Sequence, residues 1–330
     1  LMGRGLKHYR VPLFENLAKY VDLTLVSDDI LPIKNTTQIK LSSIKIFNVC
    51  FHFDVFKLNF GNYDKIIIIG NLNYLLLFLR GLFSGPDKVI FWGFWKTKNK
   101  LQNLIRKAVI DILKFKCIFY APSHLISYQN ASNMRRLILG RNTMHVDLEE
   151  NHSISSKGDE IIFTGTLNER KKLFEFLSST KNYWILKKSP ILNIIGDGAQ
   201  FLKIKKFLGN EGLDKKIILH GRVDNKEYIS NIYKKAFLEF SPGQAGLSVV
   251  QALGHATPFV CLKNAISGGE TENILNGYNG YQCSNWEEII IKIDLLSQNY
   301  KKRQELQRNS LEYYKKCLKI EHLSNIFLEI

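Results

Sequence analysis

Apolar positions along the chain fall into short continuous runs separated by amphipathic stretches. Val21–Val26 (VDLTLV) alternates and is rich in β-branched residues, while Lys65–Ile69 (KIIII), Lys88–Trp92 (KVIFW) and Cys117–Tyr120 (CIFY) are apolar runs bounded by polar residues or glycine. Runs of that length, apolar on both faces, predict strands of a parallel sheet covered on both sides. Between them, Lys7–Tyr20 (Val11, Phe14, Leu17 and Ala18 on one face), Leu72–Leu82 and Leu101–Leu113 carry helical spacing. In such folds a Gly-containing loop into a helix follows a strand, yet Gly3 and Gly5 stand almost at residue 1. The expectation is that the first strand of this domain is missing from the sequence as given.

Residues 147–160 (DLEENHSISSKGDE) are polar and nearly free of apolar side chains, which reads as a linker. A second series follows. Ile161–Phe163, Ile191–Ile195, Ile217–Leu219, Ala236–Phe240 and Phe259–Leu262 read as strands, alternating with helices at Lys171–Leu177, Phe201–Leu208, Asn225–Lys235 and Leu247–Leu253. This order predicts an α/β protein of two doubly wound, Rossmann-like domains facing a cleft. The boundaries are 1–150 for a first domain truncated at its start, and 151–330 for a second domain with C-terminal helices.

Charge sharpens this picture. The 330 residues carry 46 Lys and Arg against 30 Asp and Glu, a formal net charge of +16. From Lys96 to Lys116, Lys96, Lys98, Lys100, Arg106, Lys107, Lys114 and Lys116 face only Asp111. Leu101, Leu104, Ile105, Ala108, Val109 and Leu113 recur there at helical spacing, so a basic amphipathic helix suited to an anionic membrane surface is expected. No helix-turn-helix, zinc-finger or RNA-binding signature accompanies it, which argues against nucleic acid. The longest uncharged run, Ile66–Leu79, falls short of the roughly 20 residues that span a bilayer and contains Gly70, Asn71 and Asn73. Cys50, Cys117, Cys261, Cys283 and Cys317 form no C-x-x-C pair, so neither a zinc site nor a disulfide framework is indicated. A cytoplasmic protein, peripheral on the inner membrane face, is the expectation.

Strand-end loops carry Gly165, Gly196, Gly198, Gly221, Gly243 and Gly246, but no G-x-G-x-x-G or Walker A sequence, so dinucleotide oxidoreductases and P-loop NTPases lose support. The stretch S-P-G-Q-A-G-L-S-V-V-Q-A-L-G-H-A-T-P-F-V, with G-G-E-T-E-N-I-L-N-G-Y-N-G after it, resembles the donor-site segment of retaining GT-B glycosyltransferases of family 4, the glycosyl transferases group 1. Gly246, Leu247, Ala252, Pro258, Val260, Gly268, Gly269, Glu272, Gly277 and Gly280 match in register. F-T-G-T-L-N-E-R-K-K, I-I-G-D-G and I-L-H-G-R-V resemble upstream segments of the same family. In the first half only W-G-F-W (Trp92–Trp95) and R-N-T (Arg141–Thr143) resemble its polysaccharide-assembly members.

The resemblance implies a hexosyltransferase-type enzyme that moves a sugar from a nucleotide-diphosphate sugar to a lipid-linked glycan acceptor with retention of configuration, in bacterial surface polysaccharide synthesis (capsule or lipopolysaccharide). No cofactor or metal is implied. It places Lys171, with Arg170 beside it, at the phosphates. Gly165, Thr166, Gly196, Gly221, Val223, Gln244, Gly246, Leu247 and Ser248 would line the donor site, and Glu272 would reach the nucleotide ribose. The family's two glutamates fall on Gly243 and Gln251, and its arginine after Gly165 is Thr166; Gln251 retains a neutral ribose contact and Gln244 is the candidate substitute for the first acid. Arg4, His8, Arg10, Trp92 and Trp95 are candidates for the acceptor side, and His220 and His255 read as structural. A non-catalytic sugar-nucleotide-binding or partner protein, and a GT-B-like sugar-nucleotide epimerase, are the alternatives. A helix beginning near Leu247 offers free N–H groups and the positive end of its dipole to a leaving pyrophosphate, which gains charge as the glycosidic bond breaks.

Overall fold

The computed structural model describes residues 2, 6–47, 49–94, 97, 99–147, 158–186 and 188–330. The chain forms two compact units, Leu1–His145 with Ile320–Ile330, and Val146–Lys319.

The first unit begins with α1 (Val11–Leu17), β1 (Leu23–Ser27) and β2 (Thr36–Lys40), followed by a separate antiparallel hairpin of β3 (Ile44–Ile46) and β4 (Val49–Phe51). β5 (Ile66–Ile69), α2 (Leu75–Phe83), β6 (Val89–Phe94), α3 (Lys100–Asp111), β7 (Lys116–Phe119), α4 (Pro122–Ile126) and β8 (Leu137–Leu139) come next. β1 pairs with β2, and β5 through β8 lie side by side, all parallel. Met2 bridges the two groups in parallel, to Val26 on one side and Ile68 on the other. Its amide donates to the Ile67 carbonyl at 2.8 Å and its carbonyl accepts from the Ile69 amide at 3.0 Å. Among the described residues Met2 thus links β1 and β2 to β5 through β8 at one position.

The second unit contains β9 (Glu160–Thr164), α5 (Leu173–Ser179), α6 (Lys181–Ile185), β10 (Leu192–Ile195), α7 (Phe201–Asn210), β11 (Ile217–Gly221) and α8 (Lys226–Lys235). It continues with β12 (Ala236–Ser241), α9 (Leu247–Gly254), β13 (Phe259–Leu262), β14 (Gly280–Cys283), α10 (Trp286–Gln298) and α11 (Tyr300–Cys317). The sheet order is β11-β10-β9-β12-β13-β14, all parallel, which is the Rossmann order with its reversal between β9 and β12. Ile161, Phe163, Ile194, Phe237, Leu238, Phe240 and Val260 supply the buried sheet faces, and Phe176, Leu177, Ile204 and Ile293 pack onto them from the helices. Apolar residues on both faces of these strands explain why they read as continuous runs rather than as alternation.

α12 (Ile320–Glu329) corrects the expected boundary at 151–330, because it joins the first unit. Ile320 and Leu323 enter the same core as Leu13, Phe14 and Leu17 of α1, and the Asn16 amide donates to the Ser324 hydroxyl at 3.0 Å. α3 is also differently oriented than its apolar spacing suggested. Its buried residues are Arg106, Val109 and Ile110, whereas Leu101 and Leu104 are 65% and 64% exposed. Among the described residues no helix is long and apolar enough to cross a membrane.

Candidate active site

Doubly wound sheets bind ligands at the carboxyl ends of their strands, at the point where strand order reverses. A cavity of about 760 Å³ opens at that point of the second unit. β9 ends in Thr164 and delivers the chain to Gly165, held at φ +137. A Cβ on Gly165 would stand 2.8 Å from the Lys171 Cε and 2.9 Å from its Nζ, so glycine here is what admits the lysine side chain. Asn168 caps the following 3-10 turn (Glu169–Lys171) by accepting from the Lys171 amide, and Lys172 in the left-handed region opens α5. Lys171 is buried, its Nζ 5.6 Å from the Phe163 ring centroid. Burial pulls its pKa down, opposed by the Glu239 and Glu270 carboxylates.

The opposite wall is the loop from β12 into α9. The Gln244 amide donates to the Arg170 carbonyl at 2.9 Å, the Ser241 hydroxyl donates to the Gln244 carbonyl at 2.8 Å, and the Trp286 indole holds the Pro242 carbonyl at 2.9 Å. Gly243 is pressed against the lysine turn so closely that a Cβ would lie 2.5 Å from the Arg170 carbonyl oxygen and 2.6 Å from that of Lys171. A side chain there would collide with both carbonyl oxygens unless the loop shifted. No side chain caps α9, so its first N–H groups remain open toward the cavity, and the Ser248 hydroxyl beside them is buried without a partner. Leu247 and Gln251, one turn apart, both line the cavity.

Behind the cavity floor lies Glu239, fully buried in β12. The Thr164 and Tyr233 hydroxyls each donate to one of its carboxylate oxygens at 2.6 Å. Burial pushes its pKa up to about 8 against those two hydrogen bonds and the Lys171 charge. Glu270, also buried, accepts from the Gly268 amide at 2.8 Å and the Ser267 hydroxyl at 3.0 Å. The lysine thus sits in front of two buried acids, one of which holds its proton more tightly than an ordinary carboxyl.

Of the residues expected from sequence, the structure brings Lys171, Gln251, Gly165, Thr166, Gly196, Val223, Gln244, Gly246, Leu247 and Ser248 to this one cavity. Arg170 does not line it; its side chain is exposed and only its carbonyl serves the site. Gly221 stands one layer behind, its carbonyl accepting from the Gly196 amide at 2.8 Å. Glu272 is half-buried in the 3-10 turn Glu270–Asn273 and outside the lining, and from that turn it is Glu270 that acts on the lysine, after Glu239 of β12. Asn168, Asp197, Arg222 and Ile229 line the cavity without having been singled out. Glu239 had a legible signal, an acid inside an otherwise apolar strand (AFLEFS), because buried carboxyls are rare without a partner.

The acceptor-side candidates belong to the first unit. Arg4 and Trp95, like Lys96 and Lys98, lie outside the described residues. Trp92 is 0% exposed and so faces no ligand; it supports Arg10, whose guanidinium carbon lies 4.1 Å from its ring centroid and whose Nη2 donates to the Tyr120 hydroxyl at 2.8 Å. His8 is exposed in the 3-10 turn ahead of α1. His220 and His255 have structural partners: His220 bonds Asn193 and Tyr228, and His255 stacks on Tyr233 at 4.2 Å. Among the described residues no group of three or more His, Cys, Asp or Glu is placed to hold a metal ion.

Two Rossmann-like units, the second with a cavity at its switch point, are the architecture of a nucleotide-sugar-dependent GT-B glycosyltransferase. Residues 147–313 match the family described as glycosyl transferases group 1, and the chain belongs to that family. No curated protein sequence matches it. Among solved structures, HepE of Anabaena in complex with UDP superimposes with a TM-score of 0.72 at 12% identity, covering 99% of this chain and 98% of that one. Sucrose-phosphate synthase of Thermosynechococcus elongatus gives 0.70 at 13%, covering 99% and 94%, and a glycosyltransferase of Rickettsia africae gives 0.69 at 15%, covering 99% and 96%. At such identities the likeness shows the fold alone.

Proposed function

We propose that the chain is a retaining glycosyltransferase of family 4 that transfers a sugar from a nucleotide-diphosphate donor to a lipid-linked glycan at the inner face of a bacterial membrane, in surface polysaccharide assembly. The observation that carries the donor half is Lys171, buried at the switch point opposite the uncapped start of α9. A pyrophosphate placed between them meets an ammonium and open N–H groups from opposite sides. Both interactions strengthen as the leaving group gains charge, which lowers the barrier rather than only the substrate's energy. Gln244 and Gln251 provide neutral hydrogen-bonding groups where the family has carboxylates, and no metal enters this scheme.

Retention and the polysaccharide role are supported by the sequence resemblance. The membrane half is supported by α3, where exposed Leu101 and Leu104 run alongside Lys100 and Lys107. A basic amphipathic surface of this kind attracts anionic headgroups and buries its apolar side chains at the interface. Arg106 is fully buried and takes no part in that surface. The test is nucleotide release from a panel of UDP-, GDP- and ADP-sugars, with and without membrane extracts bearing lipid-linked glycans, followed by anomeric analysis of the product. Extract-dependent release with an unchanged anomer is expected; no release from any donor, or an inverted anomer, contradicts the reading.

A further inference from the structure

A separate cavity of about 300 Å³ opens in the first unit, and its polar lining is Lys65, Asp87, Lys114, Lys116 and Arg136. These residues stand at the amino-terminal ends of β5, β6, β7 and β8, the edge opposite to the one where ligands of such sheets ordinarily bind. Four cations therefore face one carboxylate. The Lys65 ammonium is occupied with the Asp87 carbonyl at 3.0 Å. Arg136 ends a 3-10 turn, and its Nε and Nη2 are buried without any hydrogen-bond partner. Its charge reaches the fully buried Cys117 thiol, which burial pushes well above its ordinary range and Arg136 pulls back. Lys116 is half-buried and Lys114 exposed beside it.

Four cations gathered around one cavity repel one another unless an anion lies among them. Water would satisfy the N–H groups but leave the excess positive charge uncompensated. We propose that this cavity binds a phosphate group, with Arg136 as its floor and Lys114 and Lys116 as its rim. Its volume is at the low end for ligand pockets, enough for a phosphate with a few attached atoms and too small for a whole nucleotide-sugar. A soluble phosphomonoester and the phosphate of a lipid headgroup share this chemistry. The site is independent of the donor cavity and of the membrane reading of α3.

The test uses equilibrium dialysis of the full chain with radiolabelled inorganic phosphate, and flotation of the full chain carrying Lys100→Gln and Lys107→Gln, which removes the recruitment by α3, with phosphatidylcholine vesicles containing phosphatidic acid or, at matched surface charge, phosphatidylglycerol. Binding should weaken at least tenfold in Arg136→Gln and in the Lys114→Gln/Lys116→Gln double variant, recover in part in Arg136→Lys, and persist in Lys171→Gln. Uptake of inorganic phosphate with that pattern assigns a soluble ligand; uptake only onto phosphatidic acid vesicles, with the same pattern, assigns a lipid phosphate. The proposal is overturned by no binding in either arm, by equal binding to both anionic lipids, or by binding that follows Lys171 instead. Should Arg136→Gln fail to fold, the double lysine variant decides.

Discussion

Replacing Lys171 by methionine keeps the length of the side chain and removes only the ammonium. Two consequences of opposite sign follow. In the free protein the buried charge is disfavoured by desolvation, so its loss should leave the melting temperature unchanged or slightly higher. In the donor complex a charge-assisted contact to phosphate disappears, worth about 1.5–3 kcal/mol, which is roughly 10- to 150-fold in dissociation constant. The open α9 N-terminus remains, so binding should be weakened and not abolished. Because the Glu270 carboxylate stays behind, its negative potential is no longer offset, which moves the loss toward the upper end. Calorimetric titration of the nucleotide diphosphate alongside a thermal melt separates the two effects. An affinity within twofold of wild type would refute the placement of the pyrophosphate, and a large drop in melting temperature would show that the lysine is chiefly structural.

Gly243→Ala should destabilise the second unit by about 1–3 kcal/mol through overpacking against the Arg170 and Lys171 carbonyls, measured by denaturant unfolding; an unchanged midpoint would mean the loop moves freely. Glu239, whose folded pKa of about 8 lies above its ordinary value, binds its proton more tightly when folded, so its contribution to stability is full at acid pH and lost as pH rises through about 8. Donor affinity should fall across the same range, because the ionised carboxylate offsets Lys171 while a nucleotide-sugar pyrophosphate has no titration there; Glu239→Gln should flatten that decline, and a profile identical to wild type would remove Glu239 from the site. For the α3 surface, Lys100→Gln with Lys107→Gln should reduce partitioning onto anionic vesicles by about 2 kcal/mol, near thirtyfold, and high salt should release the wild type; equal partitioning onto neutral vesicles would contradict the electrostatic part.

Most of the second unit could be read from the sequence because β9, β10, β12 and β13 are almost wholly buried and β9, β10 and β11 reach a glycine at their carboxyl edge. The helix expected over Lys171–Leu177 divides instead into a 3-10 turn and α5, since Lys172 takes a left-handed conformation that the spacing of apolar residues does not encode. Periodicity could not say which face of α3 is inside: Arg106 is an unfavourable candidate for burial, yet packing beside Tyr128 places it there. The sequence leaves Trp92 open between packing at a strand end and facing an acceptor, and its full burial with the cation–π pairing to Arg10 decides for packing. The return of α12 to the first unit depends on a long-range fit of Ile320 and Leu323 to α1, a contact no local pattern announces. Likewise Gly243 was legible as a departure from the family's segment, while the two carbonyl oxygens packed against it were not.

The donor-site assignment is tested most directly by a crystal structure of the chain with a nucleotide diphosphate bound. Phosphate oxygens within about 3 Å of the Lys171 Nζ and of the Leu247 and Ser248 amides are expected, with the Ser248 hydroxyl acquiring a partner and Gln251 beside the ribose. A nucleotide bound elsewhere, or one whose phosphates point away from Lys171 and the start of α9, would contradict it.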